Sequence, residues 1–215
     1  MTTPLSNFLP FVLPHAQSVP DMLAEQYIRQ AAREFCQETR VWRTVAEFDV
    51  AGEAQNDVPV PSQSEVFEIG EAWFRLTTTS QYGKPLDRVS FENMDPNLLP
   101  TGATPANGAV PAAITQIGFN SIIVAPPASG RLKVSAYLMP TIAADSVPDF
   151  LFAKYATIIA DGALGQLLLV PGQPYTAPDI AGYRSGLFRA ACETRFNLNR
   201  RGQQRAPARV RSSYM

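Results

Sequence analysis

The chain has 215 residues, enough for one sizeable core or one core with appendages, and its 18 basic and 19 acidic residues leave no overall sign to read. One histidine and two cysteines remove most nucleophilic and metal-ligating arrangements. No P-loop, GxSxG, HExxH, GxGxxG after a strand, or EF-hand spacing occurs, so neither an enzyme nor a metal or cofactor site is expected.

The opening stretch, 1–17, reads as an extended arm with apolar anchors at Phe8, Leu9, Phe11 and Leu13. An arm of that composition is expected to lie on its own domain or on a partner. It lacks a basic start and is interrupted by prolines, so it reads neither as a signal peptide nor as a membrane span. His15 has no Ser or Cys partner motif, and no catalytic role is assigned to it. The first helix is expected within 18–40. Ala24, Ile28, Ala31 and Phe35 form its apolar stripe, and Glu25, Arg29, Gln30, Arg33, Glu34 and Gln37 lie on its other faces, most simply in solvent.

At Val41 the period changes. Val41 to Val50 is rich in β-branched and aromatic residues and reads as a strand, and further strands are expected at 66–69, 71–78, 113–118, 121–124 and 132–139. Short turns between them argue for an antiparallel body over 41–140, a small sandwich. Glu65, Glu68 and Glu71 do not share one face and read as a solvated edge. From about 93 to 111 runs Met94-Asp95-Pro96-Asn97, Leu99-Pro100-Thr101-Gly102 and Pro105-Ala106-Asn107-Gly108, a loop long enough to be a projecting, binding element.

An antiparallel helical hairpin is expected over 146–200. Its first helix, about Asp149 to Val170, is apolar nearly all round and should be buried by its own fold or by neighbouring copies. Tyr155, Ile159 and Leu167 supply bulk while Gly162 and Ala163 permit close approach of another backbone, so these five are the candidate subunit-packing residues. Pro171-Gly172-Gln173-Pro174 makes the corner, and the second helix starts near Pro178 with Ile180, Tyr183, Leu187 and Ala191 at helical spacing. Ser18-Val19-Pro20-Asp21, Ser146-Val147-Pro148-Asp149 and Thr176-Ala177-Pro178-Asp179 repeat one helix-start pattern, in which the hydroxyl is expected to cap the first turn and the acid to favour its positive end. Cys36 and Cys192, far apart and without CxxC spacing, read as two buried thiols.

The tail, 201–215, is expected to be flexible. Past Glu193 there is no acid. Arg195, Arg200, Arg201, Arg205, Arg209 and Arg211 fall in the last 22 residues, leaving twelve basic against nineteen acidic residues, a net −7, before them. An acidic body with a basic end suggests that the end meets an acidic surface, on another copy, another protein or nucleic acid, and Arg200, Arg201, Arg205, Arg209, Arg211 and Tyr214 are the candidate docking residues. The fold class expected from all of this is α+β: N-terminal helix, antiparallel β body, C-terminal antiparallel helical hairpin and extended basic tail, with 1–200 as a single domain.

The ordered set of signals resembles the head-to-tail adaptor (connector, or neck) proteins of tailed bacteriophages, particularly the short-tailed type. The resemblance rests on the run from Arg33 to Arg43, on Ile122-Ile123-Val124-Ala125-Pro126-Pro127, and on Tyr137-Leu138-Met139-Pro140-Thr141 leading into Val147-Pro148-Asp149-Phe150-Leu151. The run from Tyr155 to Leu164 and the corner Pro171-Gly172-Gln173-Pro174-Tyr175 complete it. It covers most of 20–200 but not the stretch around 94–111 or the tail past Gly202. It implies a structural, non-catalytic virion protein of the neck, assembled in the host cytoplasm. Such proteins form a ring, commonly of twelve copies, that joins the portal to the tail or nozzle protein and passes the genomic DNA through its bore without sequence-specific binding. Two other readings stand beside it. A host- or carbohydrate-binding β-sandwich module of a phage tail would need aromatics on an exposed loop, whereas Trp42 and Trp73 fall in expected strands. A nucleic-acid-binding protein would act through the arginine tail, which has no aromatic but Tyr214 interleaved with it.

Overall fold

A computed structural model of the chain describes residues 1–53, 55–76, 81–93 and 110–200, with side chains as far as 195. The fold is α+β, in two compact units: one made of 1–41 together with 140–200, the other of Trp42–Met139.

The first unit is helical. α2 (Asp21–Thr39), α3 (Asp149–Leu167) and α4 (Pro178–Arg200) pack on one another. Ala24, Ile28, Ala31 and Phe35, the stripe legible in the sequence, are fully buried. α3 is the central element. Residues 159–165 are buried without interruption, which a helix achieves only when neighbours cover every face. The phenyl ring of Phe35 lies 5.0 Å from that of Tyr155 and 6.3 Å from that of Phe188 on α4, measured between centroids.

The opening segment is coiled rather than extended. A short strand β1 (Thr2–Pro4), a 3-10 turn (Leu5–Phe8) and one helical turn α1 (Leu9–Val12) lead into α2. β1 pairs antiparallel with β9 (Ser146–Pro148) just ahead of α3. The anchors also differ: Leu5, Phe8 and Val12 are buried, whereas Phe11 is exposed. One 3-10 turn followed by one α turn places Leu5, Phe8 and Val12 on a common side, a spacing that an extended reading could not reveal. Phe8 meets Phe152 of α3 edge-on at 5.1 Å.

The expected hydroxyl caps are not at the N-cap positions. Pro20 and Pro148 are the N-caps of α2 and α3 and have no side-chain acceptor to offer. The acids do sit in the first turns, and Asp149 also accepts a 2.7 Å hydrogen bond from the Thr3 hydroxyl. Thr176 serves the corner instead: its Oγ1 donates to the Val170 carbonyl at 2.5 Å and accepts from the Gln173 amide at 3.1 Å. α3 has already stopped at Leu167, so the left-handed Gly172 (φ 72°) shapes the corner rather than ending the helix.

The second unit is the β body. β2 (Arg43–Ala51), β4 (Ser64–Arg75) and β8 (Ser129–Pro140) form a three-stranded sheet with β8 in the middle. β2 pairs antiparallel with β8 over nine residues, from Arg43 opposite Tyr137 to Ala51 opposite Ser129. Two strands expected at 66–69 and 71–78 are one twelve-residue strand, because Gly70 does not break it. A side chain at Gly70 would press on the Ser135 carbonyl of β8 at 3.2 Å, so glycine serves close strand packing here. A second sheet has the order β3 (Gln55–Asp57), β7 (Ser121–Ala125), β6 (Ala113–Gly118) and β5 (Asp87–Arg88). Its antiparallel pattern is broken only by the two-residue β5, which runs parallel to β6. Val66, Phe74, Leu132 and Val134 of the first sheet and Ile114, Ile122 and Val124 of the second share one hydrophobic cluster.

Candidate interaction surfaces

The five residues expected to pack subunits, Tyr155, Ile159, Gly162, Ala163 and Leu167, all lie on α3 and are all buried within the chain's own helical unit. Close approach is real at Gly162 and Gly165. A Cβ at Gly162 would sit 2.7 Å from the Phe188 ring, and one at Gly165 would sit 3.1 Å from the Ser185 amide, so α4 rides on the glycine face of α3. Beside that seam Asp161, 8% exposed, takes a 2.6 Å ion pair from Arg184, whose second amino group donates to His15 Nε2 at 3.3 Å. Nothing in the sequence spacing marks this pair.

The seam determines which side of α4 faces out. Its packed face is Ala181, Phe188 and Cys192, whereas Ile180, Tyr183 and Leu187 are 50%, 66% and 40% exposed. Gly182 and Gly186 lie beside them with open space where a Cβ would point. The larger apolar stripe of α4 thus covers nothing among the described residues. Sequence periodicity found the stripe but not its direction, because the helix carries two candidate apolar faces and the glycines of α3 select the slimmer one.

The charged side of α2 is only partly solvated. Arg29 donates to the Ala144 carbonyl at 2.6 Å and Arg33 to the Pro140 carbonyl, fastening 140–145 to the helix. Glu34 accepts from Gln166 of α3 at 3.0 Å. Further along, Glu34 and Glu38 of α2 and Phe188, Arg189, Cys192 and Glu193 of α4 line a groove of about 740 Å³. Both cysteines are buried free thiols, as expected. Burial, and then the negative charges of Glu34, Glu38 and Glu193, push the Cys192 thiol up to about 12.

On the β body the turn from β6 to β7 exposes Ile117 and Phe119. Asn120, at φ 63°, holds that turn: its side chain accepts from the Val66 amide at 2.7 Å and its carbonyl from the Val58 amide at 2.8 Å. Trp42 packs partly against the core and Trp73 is half-buried. Glu47 of β2 accepts from Arg75 at 2.6 Å and lies 3.1 Å from Arg131. The Tyr82 hydroxyl first, and then Arg75, Arg131 and Lys133, hold the Glu47 carboxyl below the usual carboxylate range, against burial, which acts the other way. No group of three or more potential metal ligands occurs among the described residues, and no helix there is long and apolar enough to cross a membrane.

Arg200 is the last residue of α4. Arg201, Arg205, Arg209, Arg211 and Tyr214 lie outside the described residues, as does 94–109 of the expected projecting loop. A sequence model of the family described as SU10 adaptor protein matches residues 7–212, taking in most of the opening segment and of the tail as well as the stretch that carried the resemblance. No curated protein sequence matches the chain.

Proposed function

Since the chain belongs to the SU10 adaptor family, and is therefore a phage head-to-tail adaptor with a structural role in the virion, we propose that copies of it close into a ring between portal and tail. The ring, of twelve copies in the resemblance noted above, leaves a bore through which the genome passes and presents its lower face to the tail or nozzle protein. The observation that carries this reading beyond the family match is the stripe Ile180, Tyr183 and Leu187 on α4, exposed among the described residues. Exposed apolar side chains grouped on one helix face mark a protein contact, and the adjoining Gly182 and Gly186 let another backbone come close. The buried residues Tyr155, Ile159, Gly162, Ala163 and Leu167 then act on subunit packing indirectly, by fixing how α4 is presented.

The basic tail, with Arg200, Arg201, Arg205, Arg209, Arg211 and Tyr214, docks on an acidic surface of the portal or of a neighbouring copy, and the loop over 93–111 reaches the next component of the tail. Charge-driven docking weakens as salt screens it. The test is the native mass of the purified protein alone and mixed with portal. The full chain is expected to join portal as a multimer, and a chain lacking residues 202–215 to remain folded without joining. A truncated chain that attaches to portal as well as the full one does would remove the docking role from the tail.

A further inference from the structure

The groove between the end of α2 and α4 has an occupant that the chain itself can supply. Its floor includes the buried Phe188 and Cys192, and its charged lining is Glu34, Glu38 and Glu193 together with Arg40 and Arg189. The carboxylates set the sign at the floor, since the charges that act on the Cys192 thiol are those of Glu34, Glu38 and Glu193. Fifteen residues follow Arg200, carrying Arg201, Arg205, Arg209 and Arg211 and no acid. They leave from the end of the helix that forms one wall of the groove.

We propose that in the free subunit residues 201–215 fold back into this groove of their own chain, with arginines on Glu38 and Glu193 and an apolar side chain of the tail over Phe188. The reach suffices. From Glu193 to Arg200 is about 10 Å of helix at ~1.5 Å per residue, which a reversed chain recovers in three or four extended residues at ~3.3 Å each. Gly202 is suited to the reversal, and Arg205 then falls level with Glu193. Arginine matches the site because its planar fork pairs with carboxylates while its stem lies along an aromatic ring. The tail is thereby kept from acidic surfaces until a partner displaces it. This assignment concerns the free subunit and does not depend on which partner the tail later meets.

The experiment is limited trypsin digestion of the full-length protein, followed by intact mass, which reads cleavage after the tail arginines. At low salt a Glu38→Gln, Glu193→Gln variant is expected to lose its tail about five-fold faster than the parent chain, because cleavage follows the fraction of open tail. At high salt the two rates should converge. Equal rates at low salt overturn the proposal. Parental protection should also be independent of protein concentration; protection that falls on dilution means the groove is filled from another copy, and the same-chain assignment fails. A second reading uses the thiol. Cys36 is fully buried, so labelling at Cys192 reports the groove floor, and deletion of 202–215 should speed it. Labelling at the same rate with and without the tail likewise overturns the proposal.

Discussion

Glycine plays opposite roles on the two helices of the hairpin, and the difference is measurable residue by residue. On α3 a methyl group at Gly162 would meet the Phe188 ring at 2.7 and 2.8 Å and the Ala31 methyl at 3.1 Å, all inside the core. Replacing glycine by alanine in a helix is worth about 1 kcal/mol in propensity, but overpacking a filled core costs about 1–3 kcal/mol. Gly162→Ala is therefore expected to be destabilising, whereas Gly182→Ala and Gly186→Ala, with open space around them, should raise stability by about 0.5–1 kcal/mol each. Denaturant midpoints of the three variants check this; a stabilised Gly162→Ala would mean that the seam is loose. Glu47 supports a second expectation at this scale. Its carboxyl is held low by the Tyr82 hydroxyl and by Arg75, Arg131 and Lys133, so the folded state binds a proton there less readily than the unfolded state. Its contribution is present above the ordinary glutamate value, near 4.3, and is lost as pH falls through the lowered one. Glu47→Gln should flatten the acid limb of the stability profile. An unchanged acid limb would show that this cluster does not govern it.

Among the elements, α4 carries the clearest expectation. Tyr183→Ser with Leu187→Ser alters side chains that are 66% and 40% exposed, and surface changes of this kind move stability by no more than about 0.5 kcal/mol. The variant should keep its thermal midpoint yet fail to form the multimer, read as native mass; normal assembly would take the contact away from this face. The same helix marks where sequence reasoning stops. The stripe of α2, the six-residue strand β6 and the start of α3 at Asp149 were legible because periodicity and punctuation are local. The direction of α4, the buried Asp161 and Arg184 pair and the β1 with β9 pairing were not, because each depends on what lies across the core. The very short β3 and β5 have too few residues to show a period at all. The hydroxyl caps failed for another reason: the proline of each pattern itself takes the N-cap position at α2 and α3, leaving the hydroxyl two residues outside it.

For the molecule as a whole, the family match over 7–212 joins segments that the fold distributes between two units. The β body has its own core, drawn from both sheets, and both tryptophans of the chain, Trp42 and Trp73, belong to it. Residues 42–139 expressed alone are expected to unfold cooperatively with a tryptophan signal; a fragment without a cooperative transition would make the helical unit necessary for its folding.

The clasp at the base of the helical unit has a consequence for how the chain is made. The Thr3 hydroxyl and its acceptor Asp149 are separated by 146 positions, and Arg29 and Arg33 wait for 140–145. On the ribosome, then, β1 and α2 emerge before the β body, and β9, α3 and α4 reach them only after it has followed. At roughly 5–20 residues per second, the buried stripe of α2 spends several seconds without α3 to cover it. The β body can complete itself during that wait. The helical unit closes only once α3 and α4 have been translated, so a polypeptide terminated before α4 lacks the helix face proposed to join copies.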